Sequence, residues 1–384
     1  MSGHTLGQAT PSRMAQSLRL REASFEDYPH VVALESKFHL DTKSYEAWTH
    51  LWSNNPAYRE VKGRFPIGWV LENRDGAVSG YLGNIPLHYE FDGKRLLAAT
   101  TRAWVVDTAF RTYSPLLLGS YFNQPGVDLF MNTTVNSQAA QAYSVFQGIP
   151  VPVGAWDRSL FWITSYQGFT ESVLRKKRSV TTKALSYPLS PLVFLRDRLM
   201  RRGIFGKGNN VAVIRCAGFD ERFDAFWAAL RKKKANLLLA VRTREVLEWH
   251  FKYALAQDAA WIYIVEGNSG LAAYSIFLRQ DQPELGLTRV RLADFQFLEE
   301  ENAPAMLTAM LHAAIGRCRR DRIHMLELIG LAPSLEKETE RLSPYRRDLP
   351  SWLYFYKAKN RLLAEKLKDA AVWEPSLFDG DSSL

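Results

Sequence analysis

The fold of this chain is decided by the stretch Leu96–Ile149, LLAATTRAWVVDTAFRTYSPLLLGSYFNQPGVDLFMNTTVNSQAAQAYSVFQGI. Residues 98–107 are rich in β-branched and aromatic side chains and predict a strand. A turn follows, and then an apolar helix is predicted at Pro115–Phe122. Val127–Val135 predicts a second strand, and a second helix is expected to begin at Asn136 and to end near Gly148. The order is strand, turn, helix, strand, helix.

This order places a binding site at the start of the first helix. A strand that leads into a helix N-terminus directs backbone N–H groups and the positive end of the helix dipole at one spot, which suits a phosphate-bearing ligand. The turn there carries Arg111. In the second helix, an Asn136 cap and Tyr143 two turns later would hold one phenol at a fixed place beside that spot.

At these residues the chain resembles the GNAT superfamily of acyl-CoA-dependent acyltransferases. The central strand of that family commonly ends in Val, any residue, Pro, two residues and Arg–Gly–x–Gly–x–Gly/Ala, and the matching positions here are Val106, Thr108 and Arg111. The later helix of the family commonly begins Asn–x–x–Ala–x–x–x–Tyr, which is matched by Asn136, Ala139 and Tyr143. The order and separation of the two half-motifs make the combination more specific than either alone.

The chain departs from the family at the pyrophosphate loop. Thr112, Ser114 and Leu116 replace its small residues, and Pro115 lies inside it. The resemblance therefore supports the fold more strongly than it supports acyl-CoA binding. It implies a mixed α/β (α+β) fold of two tandem GNAT-like domains, each a mostly antiparallel sheet flanked by helices.

The resemblance also implies roles for individual residues. Acyl-CoA would be the co-substrate, with no metal, and it would be bound by Arg111, Thr112, Tyr113, Ser114, Leu116 and Asn136. Tyr143 would protonate the departing thiolate, unless it is only a core tyrosine. Asp107, at the end of the central strand, would deprotonate the amine or only cap the next turn. Thr100, Thr101, Asn132 and Thr133 predict a polar pocket or, alternatively, cross-strand hydroxyl pairing.

Composition limits the class of protein. With 384 residues the chain is long enough to form two domains, and its content of 47% hydrophobic and 23% charged residues is ordinary for a globular protein. Residues 1–16 are polar and predict a disordered tail rather than a secretory signal. The two cysteines are far apart, and the eight histidines form no metal-spaced cluster. A reduced, cytoplasmic setting is expected, with possible contact at the inner face of a membrane.

The net charge of +9 lies in one segment. Between Arg175 and Lys207 there are ten Lys or Arg and one acid, Asp197, so this segment alone carries the whole +9. One side of a helix here would carry Leu192, Leu195 and Leu199, but Arg196 would lie on the same side and interrupt the apolar face. Three interpretations remain open: a solvated linker, contact with an anionic membrane through residues 175–207, or nucleic-acid binding. Nucleic-acid binding is disfavoured because few aromatic residues lie between the basic ones.

The second half repeats the element order of the first. The series Trp–His, Trp-led strand and Tyr-bearing strand occurs in both halves, at Trp48–His50, Trp69 and Tyr81 and again at Trp249–His250, Trp261 and Tyr274. We therefore predict a tandem duplication. The expected domains are 17–170 (catalytic), a basic connector 171–208, 209–360 (supporting) and a C-terminal tail 361–384. Three acids, Glu299–Glu301, would repel phosphate in the second half.

The leading functional hypothesis is an acyltransferase that moves an acyl group from acyl-CoA to an amine. The acceptor would be a small molecule or an envelope-polysaccharide precursor. Two alternatives remain open. One is a Fem-like aminoacyltransferase that uses aminoacyl-tRNA, favoured by the basic connector but not by the missing coiled-coil insertion. The other is a non-catalytic GNAT-like protein that binds a partner or a membrane.

Overall fold

The computed structural model describes residues 18–153, 156, 158–177, 182–200, 202, 211–268, 270–331, 333–349 and 353–384. The predicted tail at 1–16 and the parts 178–181, 201 and 203–208 of the predicted connector lie outside the described residues.

The described residues form fifteen strands: β1 (Arg19–Glu22), β2 (Gly68–Glu72), β3 (Val78–Phe91), β4 (Lys94–Val106), β5 (Leu129–Val135), β6 (Ile149–Pro150), β7 (Arg158–Ile163), β8 (Ile214–Cys216), β9 (Leu239–Ala240), β10 (Ala260–Gly267), β11 (Gly270–Arg279), β12 (Arg289–Phe297), β13 (Met325–Ile329), β14 (Tyr345–Asp348) and β15 (Leu353–Ala358). Their α-helices are α1 (Tyr28–Lys37), α2 (Tyr45–Ser53), α3 (Pro56–Val61), α4 (Ser114–Asn123), α5 (Ser137–Val145), α6 (Tyr166–Lys176), α7 (Thr182–Leu199), α8 (Glu221–Lys233), α9 (Arg244–Ala256), α10 (Ala303–Arg320), α11 (Pro333–Glu340) and α12 (Arg361–Lys366). No helix in this part of the chain has the length and apolar character needed to cross a membrane.

The strands form two sheets with matching orders. The first runs β1-β2-β3-β4-β5-β15-β6, with β9 also paired to β3, and the second, in the corresponding direction, runs β8-β10-β11-β12-β13-β7-β14. In each sheet neighbouring strands are antiparallel except for one parallel pair, β4 with β5 and β12 with β13. The predicted tandem α/β fold is confirmed, because the two halves place equivalent strands in the same order.

Each half gives one strand to the sheet of the other. β15, late in the chain, pairs antiparallel with β5 and β6 of the first sheet, and β7 pairs with β13 and β14 of the second. Sequence analysis placed β7 in the first domain and β15 in the second, so the boundaries 17–170 and 209–360 do not coincide with the sheets. The patterns of β7 and β15 predict strands correctly, but a hydrophobic pattern does not specify which sheet edge a strand will join.

The two halves share a hydrophobic core. It includes Trp48 and Tyr81 from the first half and Trp227 and Tyr274 from the second. The equivalent helices α2 and α9 meet within it. His50 Nε2 lies 2.9 Å from the carbonyl oxygen of Trp249, and the Trp249 indole N–H donates to the carbonyl oxygen of His50 over 3.1 Å. The repeated Trp–His pairs therefore mark the line along which the halves pack.

The segment predicted as a C-terminal tail, 361–384, is instead packed between the sheets. Leu377 and Phe378 are only 1% and 3% exposed, and a 3₁₀ turn at Leu377–Asp379 lies against both β5 and β12. The tail prediction is wrong for this segment. Its apolar residues are too few to predict a buried element, but Leu377 and Phe378 fill the junction of the two halves.

One buried arginine fixes this segment in place. Arg242 Nε donates to Asp294 over 2.8 Å, and its Nη2 reaches Asp379 over 3.2 Å. Burial alone would raise the pKa of Asp294, but the Arg242 charge and the hydrogen bonds that the carboxylate accepts from Arg242, Gln296 and Tyr274 together hold the pKa below its usual value. Burial raises the pKa of Asp379 to about 6. Arg242 therefore joins the second sheet to the C-terminal segment in a site where an unpaired charge is costly.

We expect Arg242→Met to lower the free energy of unfolding by about 3–5 kcal/mol, because it leaves the buried Asp294 carboxylate without its partner. Urea denaturation measures the change. The matched control is Arg244→Met, whose side chain is 45% exposed and only loosely paired with Asp224 and Glu248, and which should cost about 0–1 kcal/mol. Equal effects of the two substitutions would contradict the assignment.

Candidate active site at the divergence of two parallel strands

A cleft of about 270 Å³ opens where β4 and β5 separate. The two strands pair in parallel at only three positions, the last of which joins Thr100 and Met131. The lining of the cleft is formed by Leu40, Asp41, Thr101, Arg102, Ala103, Trp104, Asn132, Thr134, Val135, Asn136, Ala139, Tyr143 and Asp381. The predicted residues Thr101, Asn132, Asn136 and Tyr143 are thus brought together, whereas Thr100 and Thr133, which alternate with them, do not line the cleft.

A β-bulge shapes one wall of the cleft. Tyr81 pairs with Val105 and Gly83 with Arg102, so Leu82 faces two residues of β4. The first of these, Ala103, has a φ of 53°, a left-handed conformation that is uncommon for a residue with a side chain. A Cβ on Gly83 would lie 2.8 Å from the carbonyl oxygen of Arg102, so the close approach requires glycine. The bulge turns the β4 backbone at Ala103 and Trp104 toward the cleft.

The side chain of Tyr143 lines this cleft. Asn136 begins α5 by accepting a hydrogen bond from the backbone N–H of Ala139 over 2.8 Å, as expected for a cap. The Tyr143 ring is buried, and its hydroxyl lies 3.2 Å from the hydroxyl of Thr101, which donates to Asn132 over 2.6 Å. Burial raises the pKa of Tyr143 above its usual value, so the phenol stays protonated at neutral pH and can donate a proton.

Charged residues that sequence analysis missed form the remaining polar lining. Arg102 donates from Nη2 to the carbonyl oxygen of Asp41 over 3.0 Å. Asp381, on the C-terminal segment, accepts hydrogen bonds from the hydroxyls of Thr133 over 3.2 Å and Thr134 over 3.3 Å. Burial raises the pKa of Asp381, while the Arg102 charge opposes that rise. The cleft therefore combines one proton donor with one carboxylate of raised pKa.

The predicted phosphate loop is a helix in the structure. Thr108–Tyr113 forms a 3₁₀ helix that continues into α4, and the N–H of Ser114 donates to the carbonyl oxygen of Arg111. Threonine, serine and leucine in place of glycine keep the backbone in ordinary helical conformations, and Pro115 fits the first turn. The predicted turn at Arg111 is thus a 3₁₀ helix, and the binding of acyl-CoA by these residues stays a prediction. Thr112 and Leu116 are exposed, and none of Arg111, Thr112, Tyr113, Ser114 and Leu116 lines the cleft.

Asp107 lies at the start of this helix. Its carboxylate accepts from the N–H of Ala109 at 3.4 Å and pairs with Lys37 Nζ at 2.6 Å. The hydrogen bond from Lys37 lowers the pKa of Asp107. This geometry favours the capping alternative, and the role as a base stays a prediction. Arg111 is exposed, and within the described part of the chain its side chain has no hydrogen-bond partner.

Comparison with solved structures identifies the architecture. N-myristoyltransferase from Saccharomyces cerevisiae with bound myristoyl-CoA matches with a TM-score of 0.57 and 11% identity over 91% of this chain and 80% of that chain. A probable N-acyltransferase from Enterococcus faecalis matches with a TM-score of 0.55 and 9% identity over 89% and 73%. A GCN5-related N-acetyltransferase from Kribbella flavida matches with a TM-score of 0.52 and 12% identity over 89% and 71%.

The chain has the GNAT fold. At identities of 9–12% these matches concern the fold alone. No protein-family model matches the sequence, and no curated protein matches it either.

The equivalent cleft in the second GNAT-like half is nearly closed. Between β12 and β13 the space is about 30 Å³, and its lining includes Glu374, Pro375 and Ser376 of the C-terminal segment. The β12–β13 pair is also held by a buried ion pair of 2.8 Å between Arg291 and Glu327. Of the two positions, only the first leaves room for a substrate.

Arg102 and Asp381, the two charged cleft residues that sequence analysis missed, differ in how clearly the sequence marks them. Arg102 is a charged residue in the middle of an otherwise uncharged strand segment, 96–106, and that contrast could have marked it. Asp381 lies in a polar stretch far along the chain, and its place in the cleft depends on the packing of Leu377 and Phe378. No local pattern predicts it.

Proposed function

We propose that this protein is an acyl-CoA-dependent N-acyltransferase that works in the cleft between β4 and β5. The observation that carries the proposal is the Tyr143 hydroxyl beside that of Thr101, where the parallel strands of a tandem GNAT fold separate. Acyl-CoA as the donor is supported by the N-myristoyltransferase match, because that structure contains myristoyl-CoA.

The proposed reaction is direct transfer. The amine nitrogen attacks the thioester carbonyl, so the C–N bond forms and the C–S bond breaks. The negative charge that develops on the carbonyl oxygen would be met by a backbone N–H of the bulge at Ala103–Trp104, which lines the cleft. Tyr143 gives its proton to the departing thiolate, and the proton lost by the amine passes to a base.

Asp381 is the better candidate for that base. It lines the cleft, whereas Asp107 does not and is paired with Lys37. A carboxylate of raised pKa is better matched to accepting a proton near neutral pH than one of lowered pKa. Asp41 also lines the cleft, so the acceptor would meet carboxylate groups suited to a cationic amine.

The phosphate end of the donor would lie outside the cleft. Arg111 is exposed and unpaired among the described residues, and Thr112 and Ser114 are beside it. Because Asp107 already caps this helix, phosphate would be held by side chains more than by free backbone N–H groups. The acyl chain, an envelope-polysaccharide acceptor and the cytoplasmic location remain predictions, as does the Fem-like alternative.

Acyl-CoA should stabilise the protein. Ligand at ~100 Kd contributes about 2.7 kcal/mol to the free energy of unfolding, and a thermal-shift series of acyl-CoAs measures it. Arg111→Ala should weaken binding by about 1.5–3 kcal/mol, because a charge-assisted phosphate contact is lost. Arg361→Ala, which removes another exposed arginine, is the control. The absence of a shift with any acyl-CoA would exclude the proposal.

Tyr143→Phe should lower kcat by about 10²–10⁴-fold with little change in acyl-CoA affinity, because a general acid acts in the transition state. Steady-state kinetics and the thermal shift separate the two effects. Tyr58→Phe, at a half-buried tyrosine that does not line the cleft, is the matched control. If Tyr143→Phe retained full turnover, the tyrosine would be only a packing residue.

Asp381→Asn should remove the acidic limb of the pH–rate profile. In the wild type, kcat rises with pH as Asp381 loses its proton, and its raised pKa places that rise above the range of an ordinary aspartate. The variant should be slow and lack this limb. Asp107→Asn, which keeps a capping side chain, should retain it. Loss of the limb in Asp107→Asn instead would return the base role to Asp107.

A further inference from the structure

The hairpin of α6 and α7 exposes an apolar surface. Eight large apolar residues at solvent-exposed positions lie on α7 or directly after it: Leu185, Tyr187, Leu189, Leu192, Phe194, Leu195, Leu199 and Met200. The exposed fraction is 63% for Leu192 and 76% for Leu199. Five of them follow one another at helical spacing on one side of α7: Leu185, Leu189, Leu192, Leu195 and Leu199. An exposed apolar side of this kind marks an interaction site.

The amphipathic character of α7 is reversed. The residues it turns toward the protein are Ser186, Ser190, Val193 and Asp197, which follow one another at helical spacing and form one face. A helix packed on a globular core normally buries its apolar face and exposes its polar one. Here two serines, a valine and an aspartate are inside, and the leucines are outside.

Specific contacts hold α7 in this orientation. The Tyr345 hydroxyl on β14 hydrogen-bonds the buried Asp197 carboxylate. Arg202 Nη1 donates to the carbonyl oxygen of Pro344 over 3.0 Å, and its guanidinium lies 4.3 Å from the centre of the Tyr345 ring. Tyr166 of α6 packs edge-on against Phe194 at 5.3 Å. Rotating the helix to bury its leucines would break the Asp197 contact, so the outward apolar face is fixed by the fold.

Basic side chains lie beside the apolar face, and one lies within it. Arg175, Lys176 and Lys177 at the end of α6 and Arg196 and Arg198 on α7 are exposed. The acidic side chains of the described hairpin do not add free negative charge to this surface, because Glu171 pairs with Arg175 at 2.8 Å and Asp197 is buried. The surface is therefore a leucine-rich side of α7 that includes Arg196, with Arg198 on another side of the helix and three more basic side chains at the end of α6.

We propose that the α6–α7 hairpin docks the protein on an anionic membrane surface, with the α7 leucines among the acyl chains and the basic side chains at the headgroups. Apolar insertion combined with cationic contact is the arrangement that binds anionic bilayers from one side. A second copy of the chain fits less well, because a symmetric contact would bring the two sets of basic residues together. Nucleic acid fits less well, because the centre is aliphatic and offers few rings for stacking.

The test is flotation of the full chain with phosphatidylcholine vesicles that contain or lack phosphatidylserine. We expect binding to the anionic vesicles that falls with rising salt. The double variant Leu192→Gln with Leu195→Gln should bind about tenfold or more weakly. Lys176→Gln and Lys177→Gln should each weaken binding about fivefold. The matched control is Leu362→Gln, because Leu362 is 75% exposed on α12, outside the hairpin.

Hydrogen exchange gives a second measure that does not depend on the variants. In the wild type, anionic vesicles should slow amide exchange across residues 184–200. The proposal is overturned if the wild type does not float with anionic vesicles at low salt, if Leu362→Gln weakens binding as much as the α7 variants, or if residues 184–200 exchange equally with and without lipid. It is also overturned if the wild type is a dimer that Leu192→Gln with Leu195→Gln dissociates, or if RNA protects residues 184–200 where vesicles do not.

Discussion

The exchange of one strand between the two halves is the constraint on which the rest of this structure depends. β15 fills the place between β5 and β6, and β7 fills the equivalent place in the second sheet. A sheet with an interior strand missing would leave backbone N–H and C=O groups of its neighbours without partners. Neither half is therefore complete alone, and the shared hydrophobic core follows from this mutual completion.

The cleft is a product of three local features. The parallel β4–β5 pair is only three residues long, the bulge at Ala103 turns the β4 backbone, and the C-terminal segment supplies Asp381. The segment can approach β5 because residue 380 is glycine, where a Cβ would lie 2.5 Å from the Thr133 hydroxyl oxygen. In the second half, residues of the C-terminal segment line the space between β12 and β13, which is too small for a substrate.

Sequence analysis predicted the elements well because periodicity and capping are local. The Asn136 cap follows from spacing within one element, and Thr101 and Asn132 are polar residues on strands that are otherwise apolar. The duplication was predicted from the repeated order of elements, and Tyr143 from the resemblance to the family. What it missed depends on contacts distant in sequence: the strand exchange, the packed segment 361–384 and the place of Asp381. At the predicted phosphate-binding turn, the replacement of the small residues of the family is visible in the sequence and accords with the 3₁₀ helix found there, while phosphate binding at Arg111 stays a prediction.

The strand exchange also sets the order in which the cleft can form during synthesis. β15 is the last strand in chain order, so the first sheet keeps an open gap until the whole second half has been made. Until then the edges of β5 and β6 are free to pair wrongly, with another chain or with each other. A nascent chain would thus carry no finished site, and the lining of the cleft would be assembled only after both halves have met.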